Sequence, residues 1–228
     1  MSYFNFVNKY HTSHKSNYIY FGAEDYKKEN FEGGVGIEIE LDTDLPKEEI
    51  SKGDFRHKCA KILMNNKNKD HYSLEKDASL RYGFEIVTQP HTLKEIYKFL
   101  DDMSETFDKL VELGATSEAR KAGLHIHVTK KLFGEDTETR KENIAKLLCF
   151  YGNNQDFIKK VGRRKSMKKC KVLPLTTKEL ALDYVEKSYN AHGVDRFLVD
   201  RDVAINIKNN NTIEFRAMQT SLDVNILK

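Results

Sequence analysis

The sequence predicts an α+β fold on an antiparallel sheet. Two observations carry this. The chain mixes strand-like and helical segments and ends in two alternating stretches, 202–208 and 212–218, joined only by Asn209–Asn211. That is a hairpin, and the order favours α+β over a doubly wound parallel sheet. Secondly, four segments alternate apolar and charged side chains: GVGIEIELD, YGFEIVTQP, AGLHIHV and NTIEFRAM. A period of two puts alternate residues on opposite faces of a strand.

The elements follow in order. Residues 1–30 are aromatic and polar without periodicity, so 1–32 is expected to form an extended arm ahead of a single domain over 33–228. Residues 34–42 read as a strand. A helix is expected over 46–66, with Pro46 near its start and Ile50, Cys59, Ile62 and Leu63 on one face. Residues 71–82 read as a loop or short strand, and 83–88 as a strand ended by Pro90. Thr92 with Glu95 fits a capping box. The helix it opens carries Leu93, Ile96, Leu100, Met103, Phe107 and Leu110 at helical spacing, and Gly114 stops it. Residues 123–129 form a strand, 137–160 a helix, and Thr176 with Glu179 opens another helix ending near Asn190.

Composition bounds the function. At 228 residues the chain can bury one ordinary core. Cys59, Cys149 and Cys170 show no CxxC spacing and are odd in number, which points to a reducing, cytoplasmic setting. No apolar run reaches about 18 residues, so no membrane span is expected, and the N-terminus lacks a signal-peptide pattern. Net charge is +3, from 38 basic and 35 acidic residues, a balance that does not demand nucleic acid. The Lys- and Asn-rich, Pro-poor composition suits an AT-rich bacterial or phage genome.

The charged strand faces are the informative feature. Glu38 and Glu40 share a face opposite Ile37, Ile39 and Leu41. Adjacent carboxylates repel unless a cation lies between them. Mg²⁺ prefers such oxygen ligands beside substrate phosphates. Exposed carboxylates on an outer face are the bland alternative. Glu85 between Phe84 and Ile86 needs a partner, whereas Asp77 alone would mark a turn. His125 and His127 could bind Zn²⁺, although one structural and one solvent-facing histidine is the commoner case. Glu214 and Arg216 are either a hairpin ion pair or a metal ligand beside a phosphate-binding guanidinium, and Asn206 adds to their face. The basic run Lys159–Lys171, with Arg163 and Arg164, reads by default as a solvated loop, or else as a phosphate clamp. It lacks the interleaved aromatics of a single-strand binder. No Walker A, GxGxxG or GxSxG string is present.

Taken in order, GIEIE at Gly36–Glu40, DASL then GFEIV within Asp77–Val87, AGLHIHV at Ala122–Val128, and TIEFR then TSLD within Thr212–Asp223 resemble the amidoligase family. That family belongs to the carboxylate–amine ligases, with glutamine synthetase and glutamate–cysteine ligase. The resemblance implies a glutamine-synthetase-like curved antiparallel sheet, a half-barrel with flanking helices, holding ATP and Mg²⁺ or Mn²⁺. It implies metal ligands at Glu38, Glu40, Asp77, Glu85 and Glu214. It implies catalytic roles for His125 or His127 and Arg216, and nucleotide contacts from Arg163, Arg164, Asn206 and Arg216. The expected reaction is ATP-dependent joining of a carboxylate to an amine, with both substrates unidentified and the oligomeric state open.

The sequence departs from the family pattern in two ways. It stops soon after TSLD, where members continue into further helices, so a substrate lid would be absent or come from another subunit. Asp77 stands where the pattern carries Glu. Two other readings compete. The chain could be a catalytically silent or repurposed domain binding a protein, or nucleic acid through Lys159–Lys171, which the lack of aromatics disfavours. Alternatively, HxH plus Glu could form a Zn²⁺ or Fe²⁺ enzyme, against which the surplus of carboxylates weighs.

Overall fold

The computed structural model describes residues 7–8, 21, 34–46, 50, 54–116, 122–164, 166–190 and 202–228. The expected 1–32 arm therefore lies largely outside the described residues. The chain divides into two compact units: Met1–Phe31, Val35–Leu124 and Gln219–Lys228 form the first, and Glu32–Gly34 with His125–Met218 the second. The architecture is α+β, an open antiparallel sheet with flanking helices. Among the described residues no helix is long and apolar enough to cross a membrane.

In the first unit, β1 (Val35–Thr43) lies between β3 (Phe84–Thr88) and β4 (Ala115–Thr116), and β2 (Tyr72–Glu75) flanks β3. All three pairings are antiparallel. The register sets Ile39 opposite Ile86 and Ile86 opposite Leu74. All three are buried, in a core shared with helices α1 (Asp54–Met64) and α2 (Leu93–Glu112). The strand over 34–42 and that over 83–88 thus form where alternation placed them. The expected helix over 46–66 is described from Asp54, together with Ile50.

Half of the expected capping box forms, because Thr92 N donates to Phe21 O at 3.0 Å rather than to the Glu95 side chain. Thr92 Oγ1 accepts from Glu95 N at 3.2 Å, and Gly114 follows the helix with φ +89°, a conformation that favours glycine. Ile96, Phe99, Leu100, Met103, Phe107 and Leu110 bury one face of α2. At the arm, Asn8 pairs with the edge of β2 through Asn8 N–Leu74 O and Lys76 N–Asn8 O, at 2.8 and 3.0 Å. Phe21 stacks on His71, with ring centroids 3.7 Å apart. His91 is fully buried and donates from Nδ1 to Gln89 O at 2.6 Å, leaving Nε2 to accept from His71 Nδ1 at 2.9 Å. Burial lowers the His91 pKa to about 4.

The second unit orders its strands β5 (Gly123–Thr129, which begins in the first unit), β7 (Thr212–Gln219) and β6 (Ile205–Asn206). Three helices build its core: α3 (Thr137–Asn153), α4 (Gln155–Gly162) and α5 (Lys178–Asn190). Ile144, Leu148, Ile158, Val185, Ile205 and Ile213 are buried together there. Three expectations are corrected. The single helix over 137–160 is two, broken at Asn154, whose ψ of 37° departs from helical geometry. The α5 cap is Thr177 rather than Thr176, since Thr177 Oγ1 accepts from Leu180 N at 3.3 Å. The first hairpin strand shrinks to two residues, because Asp202 O and Ala204 N bond Lys171 instead, each at 2.8 Å.

Two tests address this fold. A methyl group on Gly83 would lie 1.7 Å from Leu41 O, a backbone atom that cannot yield. Gly83→Ala is therefore expected to cost more than the roughly 1–3 kcal/mol typical of overpacking, read as a lower urea midpoint. His91 binds fewer protons folded than unfolded between about pH 4 and 6.5. Its contribution is thus present above pH 6.5 and lost as pH falls towards 4. His91→Gln should flatten that acid limb in a pH series of thermal melts.

Candidate metal centre

The site grows from the strand register. Glu40 on β1 lies opposite Glu85 on β3, and Glu85 lies opposite Glu75 at the end of β2. Three carboxylates thus stand side by side across three strands, on the face opposite the Ile39–Ile86–Leu74 row. Their residues are only 4%, 2% and 0% exposed, respectively. Like charges directly opposite one another destabilise a sheet, and burial removes the water that would screen them. Burial, followed by the charges of Glu38, Asp77, Glu40 and Glu75, pushes the Glu85 pKa up to about 10. Glu85 therefore keeps its proton across the neutral range unless a cation takes its place.

Asp77 completes a ligand set. Its Oδ1 accepts from Ser79 N at 2.5 Å, so it starts the turn that the DAS string suggests. One carboxylate oxygen each from Glu40, Asp77 and Glu85 lie within 4.8 Å of one another. Opposite ligands on an octahedral Mg²⁺ are about 4.2 Å apart, twice a bond of about 2.1 Å, so small side-chain shifts close the set. All three donors are oxygen, which suits Mg²⁺ or Mn²⁺ better than Zn²⁺. Glu40 Oε2 also accepts from Gly123 N at 2.6 Å, which fixes its rotamer.

Two acids of this region go beyond the sequence reading. Asp42, two residues beyond Glu40, accepts from Arg81 N and Tyr82 N at 2.8 and 3.0 Å. It clamps the turn that joins Asp77 to Glu85. Glu75 completes the transverse row. Its signal was the alternation Tyr72, Ser73, Leu74, Glu75, which is hard to separate from a loop in a four-residue strand.

The remaining candidates lie in the second unit. Glu214 is buried, and both its oxygens are engaged. Asn206 Nδ2 donates to Oε2 at 2.8 Å, Arg216 Nη1 donates to Oε1, and His125 Nδ1 lies 3.6 Å from Oε1. Asn206 is the cross-strand partner of Glu214, as the hairpin reading expects. His125 is buried and His127 half-buried on the same strand. The two loop arginines diverge. Arg164 donates from Nε to Met218 O at 3.0 Å and from Nη1 to Cys170 Sγ at 3.4 Å, which ties the loop to β7. Arg163 is exposed, in a left-handed conformation with φ 54° that closes α4.

Comparison with protein-family models, with curated proteins and with solved structures finds no match for this chain.

The carboxylate row has a pH signature. In cation-free protein, folded Glu85 holds its proton up to about pH 10, whereas an unfolded glutamate loses it near 4.5. Its contribution is present below pH 4.5 and is lost as pH rises to about 10, by up to about 1.4 kcal/mol per pH unit. Glu85→Gln should therefore melt later than wild type in EDTA at pH 8. It should also lose the stabilisation that Mg²⁺ or Mn²⁺ gives wild type. Thermal melts with and without cation check both, and a Glu85→Gln variant that still gains the full cation shift would remove Glu85 from the centre.

Proposed function

We propose that this chain is an ATP- and Mg²⁺-dependent ligase that joins a carboxylate to an amine through an acyl phosphate. The observation that carries the proposal is the buried row Glu40–Glu85–Glu75 with Asp77 in ligand reach. An all-oxygen site of this kind suits a hard divalent cation that works beside phosphates. The ordered motifs that resemble amidoligases favour ligation over other phosphate chemistry. On this reading the sheet is the curved half-barrel of glutamine-synthetase-like enzymes.

Bound Mg²⁺ or Mn²⁺ would neutralise charge on the γ-phosphate of ATP. Glu40, Asp77 and Glu85 would hold it, and Glu38, on the same strand face as Glu40, is assigned to a further cation. A substrate carboxylate oxygen attacks the γ-phosphorus, and ADP leaves. The amine nitrogen then attacks the acyl carbon, the C–O bond to phosphate breaks, and the proton lost from nitrogen leaves with the phosphate. Arg216 is assigned to the transferring phosphoryl group, with its guanidinium oriented by Glu214. Of the loop arginines, Arg163 is the better nucleotide contact, because Arg164 is committed to Met218 O and Cys170. Asn206 and His125 then act by positioning Glu214 rather than by touching substrate.

One observation favours a second reading, a silent domain of the same fold that binds a partner. Glu214 gives both oxygens to protein donors, as a purely structural partner of Asn206 and Arg216 would.

Ligand-dependent melting separates the two. A ligase should melt later with Mg²⁺ and ATP, a gain of about 2.7 kcal/mol at a hundredfold excess over Kd, and Glu85→Gln should abolish that gain. A wild type indifferent to ATP would favour the silent domain. Stoichiometric Zn²⁺ held on His125 and His127 would favour the HxH enzyme. Arg216→Lys should fold normally and lose roughly 10²–10³-fold in ATP turnover, because lysine cannot reproduce a two-pronged guanidinium contact. Turnover like wild type in that variant would make Arg216 a mere partner of Glu214.

A further inference from the structure

We propose that helix α4 and the loop after it bind single-stranded nucleic acid, a site that shares Arg163 with the ligase reading but none of its carboxylates. The basic run itself carries no aromatic residues. The structure supplies them from two helices: Phe150 on α3 and Phe157 on α4 are 49% and 54% exposed, with ring centroids 6.4 Å apart in an edge-to-face arrangement. Val161, one turn beyond Phe157, extends the apolar strip and is also exposed. Phenylalanines are commonly core residues, and two neighbouring rings in solvent form a platform on which bases can stack.

Charge selects the occupant. Residues 155–171 carry eight basic residues and one acid, Asp156. Among the described basic residues, Arg164 is committed to Met218 O, and Lys169 pairs with Asp202 at 2.8 Å. Lys159, Lys160, Arg163 and Lys168 are exposed. In chain order the exposed cations run from the last turn of α4 beside Val161 into the loop after it, a row in sequence. A row of cations beside a stacking platform fits a linear polyanion with unstacked bases. A second copy of the same face would bring like charges together. A duplex keeps its bases stacked and offers the rings nothing. The platform rests on rigid backbone: Gly162 approaches β7 so closely that a methyl group would lie 2.1 Å from Ala217 O, which fixes where α4 ends.

The test is fluorescence anisotropy of the intact chain with a labelled oligothymidylate of about twelve nucleotides. Four phosphate contacts should give a log–log salt slope of about −3, falling to about −1.4 in the double variant Lys159→Gln, Lys160→Gln. Phe150→Ala and Phe157→Ala should each weaken binding by roughly 5- to 100-fold, while Phe157→Tyr should keep it. All these positions are exposed, and unchanged thermal melts will confirm that the variants fold. Phe157→Ala should leave the Mg²⁺–ATP melting shift intact, so this proposal and the ligase reading can fail separately. Any of four results would overturn it: no binding at low salt, alanine variants that bind like wild type, equal affinity for the duplex, or binding to phosphatidylserine vesicles but not to the oligonucleotide.

Discussion

The repulsion among Glu40, Glu85 and Glu75 is the constraint around which the first unit is arranged. Strand register puts these acids in one row. The opposite face supplies what holds them: Ile39, Ile86 and Leu74 occupy the matching row and are fully buried against the helices. Asp42 locks the turn after Asp77 by accepting two backbone donors, and Gly83 lets β3 lie against the Leu41 carbonyl. These features keep Asp77 and Glu85 where their oxygens converge. A sheet that bears such a conflict at one place and follows the ordinary rules elsewhere has the pattern expected of a functional site.

Local physics was legible in the sequence, and register was not. Alternation located β1, β3 and β5, and the Thr92–Glu95 box located the start of α2, because each depends on residues within one turn or one pleat. Glu75 escaped because β2 is four residues long, and its meaning lies in being opposite Glu85. The break at Asn154 escaped because apolar residues keep helical spacing on both sides of it. The first hairpin strand shrank because Lys171, more than thirty residues earlier, takes the backbone groups of Asp202 and Ala204. The platform at Phe150 and Phe157 escaped for the same kind of reason, since its rings come from different helices on either side of that break.

Arginines that look equivalent in the sequence differ in the structure. Arg164 is a structural donor to β7, Arg163 is an exposed cap, and Arg216 is bound to a buried carboxylate. The family resemblance assigns all three to phosphate or nucleotide. Donor geometry divides them, because a guanidinium that spends donors on a backbone carbonyl and a thiol has fewer left for an anion. The same division runs through the lysines: Lys169 is paired with Asp202, whereas Lys159, Lys160 and Lys168 face solvent.

A silent domain and a working cation centre make different demands on Glu85. Without a cation, its carboxylate is a liability: it must hold a proton across the neutral range or bring another charge into a buried row. Exchanging one oxygen for an amide nitrogen would relieve that conflict at almost constant volume, and replacing buried charge with a neutral group of similar shape is often neutral or stabilising. A domain with no use for cations would therefore gain from losing the Glu85 carboxylate. With a divalent cation in place the balance reverses, because each carboxylate becomes a ligand and its removal leaves positive charge uncompensated. With four acids close to Glu85, its response to a divalent cation is the property on which the two readings differ.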